Sequence, residues 1–241
     1  MSERFFIEPA ITGDRALLTG SEVHHLAGVM RAKIGDEIIL FDGSGAEFVG
    51  QIAALKKDRC ELTILRREEI SREPAVAVIA GVALPKGDRQ KWLAEKLTEL
   101  GVTQLVPLLT TRGVVHPGEQ AAVRLRRCVI EASKQCGRNR LLEIGTPVNA
   151  VDWFAQVPPS EVRLLADPAG APFSLRASSP ARVFFAVGPE GGFTTAEVTA
   201  ALDAGWQSVS LGNSILRIET AAIALAACCI GLAQPNPEAV R

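Results

Sequence analysis

Ala75-Val76-Ala77-Val78-Ile79-Ala80-Gly81-Val82-Ala83-Leu84 runs without a polar side chain. Continuous apolar runs of this kind belong to parallel strands buried on both faces. The residues on its C-terminal side support that reading. Asp88 is placed to cap a helix carrying Trp92, Leu93, Leu97 and Leu100 on one side, with Gly101 as its C-terminal stop. Gln104–Leu109 is the next strand, so the order is strand, helix, strand. That alternation predicts an α/β domain with a mostly parallel sheet.

Further along, Glu119–Cys136 is predicted as an amphipathic helix ended by Gly137. Val162–Ala166, Val183–Val187 and Ser208–Leu211 are short apolar strands. Thr194-Thr195-Ala196-Glu197 has the capping-box form and opens a helix running to Ala204.

Toward the N-terminus the pattern differs. Arg4–Ile7, Ala16–Leu18, Glu37–Phe41, Glu47–Ile52 and Cys60–Leu65 are short strands with turns between, Asp42-Gly43 being the clearest turn. Such a set predicts a small barrel. Ser21 is placed to cap a helix over Glu22–Met30. The charged stretch Arg66–Pro74 ends in proline and reads as a linker. The expected domains are a β-barrel over residues 1–72 and the α/β domain over 73–241.

Across its 241 residues, 47% are hydrophobic, 22% are charged and the net charge is -1, which excludes a largely disordered chain. Ala221–Ala233, the longest apolar run, is shorter than the roughly 20 residues that span a bilayer. Met1-Ser2-Glu3-Arg4 lacks a signal-like apolar stretch, and the five cysteines form no CxxC pair. A reduced, soluble, cytoplasmic protein without a metal site or membrane contact is expected. The charge is unevenly spread. Residues 86–140 hold 11 basic and 5 acidic side chains, against 10 and 13 before them and 5 and 9 after. A local basic excess suits a polyanion-binding face, or simply two helices with solvated charges.

Ligands of open parallel sheets bind beyond the carboxyl ends of the strands. One such end is Gly188-Pro189-Glu190-Gly191-Gly192, whose glycines allow close backbone approach; a tight turn is the plain alternative. It is neither GxGxxG nor a P-loop, so dinucleotide and P-loop nucleotide readings lose their support. The other is Leu211-Gly212-Asn213-Ser214-Ile215-Leu216-Arg217-Ile218-Glu219-Thr220, an apolar loop suited to a flat ring and punctuated by one charge of each sign. An Arg217–Glu219 ion pair holding a helix start is the alternative there.

These motifs, with Arg4-Phe5-Phe6, Leu84-Pro85-Lys86-Gly87-Asp88-Arg89, Glu99-Leu100-Gly101-Val102 and the segment from Glu131 to Arg140, cover nearly the whole chain. In them the chain resembles the bacterial 16S ribosomal RNA uridine-N3 methyltransferases of the SPOUT class. The resemblance implies an N-terminal PUA-like barrel for RNA and a SPOUT α/β domain with a deep trefoil knot. It implies S-adenosylmethionine as cofactor, held by Leu165, Gly188, Glu190, Gly191, Leu211, Gly212, Ser214, Ile215 and Leu216. It implies a homodimer, with the Ala221–Ala233 helix as the candidate contact, acting on 16S rRNA within the 30S subunit.

Arg217 is then expected to stabilise the developing uracil anion, and Glu219 to take the N3 proton. Lys86, Arg89, Arg112, Arg138 and Arg140 are expected to meet RNA phosphates, while Arg124, Arg126 and Arg127 read as helix-surface charge. The chain departs from its relatives at Ser214, where they usually carry Arg, and at Leu142, where proline is common. The cysteines read as small buried hydrophobes. A SPOUT enzyme acting on another base or on tRNA, and a non-catalytic RNA-binding ribosome-assembly factor, are the competing readings.

Overall fold

A computed structural model of the chain describes residues 4–115, 118–174 and 180–232. It divides into two compact units, Met1–Glu73 with Ile130–Leu141, and Pro74–Val129 with Leu142–Arg241.

The first unit contains β1 (Arg4–Phe6), β2 (Arg15–Thr19), α1 (Ser21–His24), β3 (Glu37–Phe41), β4 (Glu47–Leu55) and β5 (Arg59–Glu68). The strands form a curled sheet in the order β1-β3-β4-β5-β2, antiparallel except for β1 with β3. Phe5, Leu18, Val23, Leu26, Leu40, Ile52 and Leu62 fill its core. Each such side chain contributes about 1.5–3 kcal/mol when fully buried. A Cβ on Gly50 would come within 2.8 Å of Leu40 Cδ1, so this strand position stays small.

Two expectations for this unit need correcting. Ser21 does not cap a helix over Glu22–Met30. Gly20 turns the chain at φ 68, α1 begins at Ser21 with no side-chain cap, and it passes into a π-helical turn over His25–Val29. The charged stretch is also not wholly a linker, since Val49 and Phe48 of β4 pair with Arg66 and Arg67 and draw β5 on to Glu68.

Residues 134–140 join this unit through charges. Arg4 binds Glu47 and Asn139, and Arg72 reaches Glu47 at 3.0 Å and the Gly137 carbonyl at 2.8 Å. Asn139 donates to the Ile70 carbonyl at 2.9 Å. Arg138, buried, holds the Glu73 carboxylate through Nε (2.9 Å) and NH2 (2.7 Å). Lys134 pairs with Glu22 at 2.9 Å. Burial pushes the Glu47 carboxyl upward, but the hydrogen bonds and charges of Arg4 and Arg72 outweigh it and hold its pKa below the ordinary value.

The second unit contains β6 (Ala77–Val82), α2 (Arg89–Leu100), β7 (Gln104–Leu109), β8 (Glu143–Ile144), β9 (Val148–Asn149), α4 (Ala150–Gln156), β10 (Val162–Pro172), β11 (Arg182–Val187), α5 (Thr195–Asp203), β12 (Gln207–Ser210) and α6 (Ile218–Leu232). Helix α3 (Glu119–Cys136) begins in this unit, and its last residues, from Ile130, belong to the first. The sheet is parallel, in the order β12-β10-β11-β6-β7-β8, with β9 on β7. The mixed α/β architecture expected from the apolar run is therefore present, with β6 in the interior of the sheet.

Gly81 in β6 lies under Trp153, whose ring a Cβ would meet at 2.4 Å. Trp153 packs with Phe154 and Trp206 to close that face, and the Trp206 indole donates to the Phe154 carbonyl at 3.1 Å. Gly101 and Gly137 end their helices at φ 87 and φ 82, as expected of C-terminal stops. Asp88 sits at the α2 N-cap without capping it. Its backbone is already helical (φ -67, ψ -15), and its carboxylate goes to Lys91 Nζ at 2.9 Å. Burial pushes the Cys229 and Cys60 thiols up to about 12 and about 11, which fits packing residues rather than nucleophiles.

Candidate active site

Parallel strands deliver their carboxyl ends to one edge of a sheet, and here three adjacent ones open onto a single cavity of about 390 Å³. Its walls come from the turn after Ala166 of β10, from Gly188–Phe193 after β11, and from Leu211–Leu216 after β12. Small ligands occupy pockets of roughly this size or larger.

Each wall has a local cause. The β10–β12 pairing breaks after Ala166 and resumes at Ala171, so Asp167–Gly170 bulges outward. Gly170 permits this, because a Cβ there would lie 2.6 Å from Ser208 Oγ and from the Val209 nitrogen. Asp167 fixes the bulge, accepting from the Ala169 N–H (2.9 Å) and the Ser208 hydroxyl (3.1 Å). In the second wall, a Cβ on Gly188 would meet the Phe193 ring and nitrogen at 3.0 Å. In the third, Gly212 turns at φ 119, and Ile215 stands 87% exposed, presenting apolar surface at the cavity.

The second wall is also braced from outside the loop. Thr194 and Glu197 form the expected capping box at the head of α5. The Glu197 carboxylate additionally accepts from the Thr111 N–H (2.8 Å) and hydroxyl (3.1 Å). Burial pushes the Glu197 carboxyl upward, and the Thr194 and Thr111 hydrogen bonds outweigh it and lower its pKa. Arg112 NH1 donates to the Gly191 carbonyl at 2.7 Å, and Arg89 NH2 pairs with Glu190 at 3.3 Å.

Gly188, Glu190, Gly191, Leu211, Gly212, Ser214, Ile215 and Leu216 all line the cavity. Leu165 does not; it is fully buried in the core one residue before the wall begins. Asp167, Pro168, Ala169 and Phe193 line it as well. The strand end before Asp167-Pro168 was the available signal for the first three.

Arg217 is exposed, and its carbonyl accepts from Ala221 at the start of α6. Glu219, in the first turn of that helix, is buried, with Ile218 and Ala221 beside it on the cavity wall. The two do not pair with each other among the described residues. Arg89 is the partner of Glu219 instead, at 3.7 Å.

The five cations expected at RNA separate in the same way. Arg89 and Arg112 hold the second wall, and Arg138 is buried against Glu73. Lys86 and Arg140 are exposed, the Arg140 guanidinium lying over Gly45. Among the described residues no group of His, Cys, Asp and Glu suits a metal ion, and no helix is long and apolar enough to cross a membrane.

Residues 71–230 match the model of an RNA methyltransferase domain, and residues 18–65 that of an RNA methyltransferase PUA domain. The chain belongs to this RNA methyltransferase family. The ribosomal RNA small subunit methyltransferase E of Synechocystis sp. is 32% identical over 228 residues, spanning 92% of this chain and 75% of that protein. The protein of the same name from Bacillus subtilis is 31% identical over 217 residues, spanning 85% of each. A ribosomal RNA small subunit methyltransferase E from Neisseria gonorrhoeae, crystallised bound to S-adenosyl methionine, has a TM-score of 0.88 at 31% identity, covering 96% of this chain and 98% of that one. The curled sheet thus corresponds to the PUA domain of the family, and the parallel sheet with its three-walled cavity to the methyltransferase domain.

Proposed function

We propose that this protein uses S-adenosylmethionine to methylate N3 of a uridine in 16S rRNA, presented within the 30S subunit, and that it acts as a cytoplasmic homodimer. The observation that carries this reading is the convergence of three strand ends on one glycine- and leucine-lined cavity in a chain of the RNA methyltransferase family. The cavity fits the cofactor. Leu211, Ile215 and Leu216 offer apolar surface to an adenine ring, the Gly188 and Gly212 backbone offers close approach, and the Asp167 carboxylate is placed at the wall to accept from hydroxyl groups. The SPOUT knot is part of this reading; the chain leaving β11 crosses β10 and places β12 on its far side.

When bound, S-adenosylmethionine supplies a methyl group already activated on sulfur, so the protein has only to position and deprotonate the acceptor. Uracil N3 carries a proton in the neutral base. Glu219 takes that proton onto its carboxylate, and Arg217 stabilises the negative charge left on the ring. The remaining rate gain comes from alignment of N3 with the donor. N3 lies on the pairing edge, so the target uridine must be unpaired or turned out of its stack. Lys86 and Arg140 meet phosphates, while Arg89, Arg112 and Arg138 serve the fold and the cavity. The dimer contact is the outer face of α6, where Ala227 and Gly231 are exposed and Ile223, Ala224, Cys228 and Ile230 are part-exposed. Ala233 lies outside the described residues.

Calorimetric titration with S-adenosylmethionine, followed by a methyl-acceptor comparison of 30S subunits, free rRNA and tRNA, tests this reading. One equivalent bound per chain and preferred incorporation into 30S subunits is expected. Incorporation into tRNA alone would assign a different substrate, and absence of binding would favour a non-catalytic RNA-binding assembly factor.

A further inference from the structure

Glu219 is an unusual acid. It is 4% exposed; among the described residues its Oε2 atom is buried without a hydrogen-bond partner, and its one ion pair is with Arg89 NH1, at 3.7 Å from Oε1. A buried carboxylate with an unused oxygen is costly unless a cation or an incoming donor compensates it. The same guanidinium reaches out of the core through NH2 to Glu190, at 3.3 Å, on the second wall of the cavity. Arg89 opens α2, Glu219 lies in the first turn of α6, and the two helices pack together. A single planar cation therefore joins a cavity wall to the buried acid beside the cavity.

We infer that Arg89 is a positioning residue: by bridging Glu190 and Glu219 it holds the Glu219 carboxylate in place with Oε2 free, and makes that placement depend on the setting of the Gly188–Gly192 wall. This rests on the reading of Glu219 as proton acceptor. The free Oε2 is the atom left to receive a proton, while Oε1 faces Arg89 NH1 at 3.7 Å. The fork of a guanidinium suits this task, since its two terminal nitrogens face different carboxylates, which an ammonium group cannot span in the same way. It also explains a cation, expected from sequence at an RNA phosphate, being turned toward two acids.

The test compares R89M, R89K, E190Q and E219Q, and the double variants R89M/E219Q and R89M/E190Q, in the full-length protein. Bridging predicts that R89M lowers the single-turnover transfer rate at saturating RNA and cofactor by about tenfold or more. R89K should recover part of that loss, and R89M/E219Q should be no slower than E219Q alone. In calorimetry, without turnover, R89M and E190Q should weaken S-adenosylmethionine binding to a similar degree, with R89M/E190Q no weaker than either. RNA affinity should stay within about twofold of wild type, with its salt dependence unchanged. A salt slope reduced by about one, with the saturated rate intact, would instead make Arg89 a phosphate contact and overturn the inference. Multiplying losses in R89M/E219Q would overturn it while leaving Glu219 as the acceptor. An E219Q protein that transfers at the wild-type rate would remove both the acceptor role and the inference.

Discussion

The two units use their arginines in opposite ways. In the first, Arg4, Arg72 and Arg138 turn inward and join residues 134–140 to the curled sheet through Glu47, Asn139 and Glu73. In the second, Arg89 and Arg112 turn toward the cavity and set a loop of glycines. The first arrangement holds a fold together, and the second prepares a surface for a ligand. A basic residue in a sequence with a basic excess is thus assigned by the acceptor it meets, which is often far away along the chain.

The largest effect is expected at Arg217, which has no ion pair among the described residues. R217A should lower methyl transfer by about 10²–10³-fold, the usual effect of losing a charge-stabilising donor. Its affinity for S-adenosylmethionine, read by calorimetry, should stay near wild type; an equal loss of binding would move Arg217 to the cofactor.

Next comes Arg138. R138A strands Glu73 in a partly buried site and should cost the first unit about 3 kcal/mol, measured by denaturant unfolding. Cofactor binding in the second unit should be unaffected. In that unit, G81A forces a Cβ against Trp153 and should cost about 1–3 kcal/mol, lowering the melting temperature by a few degrees.

Acid sharpens the contrast further. Glu47 and Glu197 both have folded-state pKa values below their unfolded ones. Their stabilisation is therefore present above the ordinary carboxylate value of about 4.3 and is lost as pH falls through the lowered one. E197Q should flatten the acid limb of stability against pH without changing the slope above pH 6. The smallest effect is expected at Lys86: K86A should reduce the salt slope of RNA binding by about one, with stability unchanged.

Much of the second unit was legible from local chemistry. The bounds of β7 and α3, the capping box at Thr194 and the stops at Gly101 and Gly137 each depend on neighbouring residues, so short windows suffice. The cavity loops were legible for the same reason, as glycine and leucine stretches at the ends of apolar strands.

What escaped depends on distance along the chain. The Arg138–Glu73 pair spans 65 residues and the Arg89–Glu190 pair 101, and nothing local to either arginine indicates its acceptor. The periodicity of α3 shows an amphipathic helix but not that its last turns belong to the other unit. Local turn chemistry also misled at Ser21 and Asp88, where the backbone geometry, rather than the residue type, decided whether a cap forms.

Nucleoside mass spectrometry reads the product of the reaction itself. Unmethylated 30S subunits are incubated with the protein and isotopically labelled S-adenosylmethionine, and the rRNA is digested to nucleosides. Labelled 3-methyluridine is the predicted product. A different methylated nucleoside, or no labelled nucleoside from a protein that binds the cofactor, would contradict it.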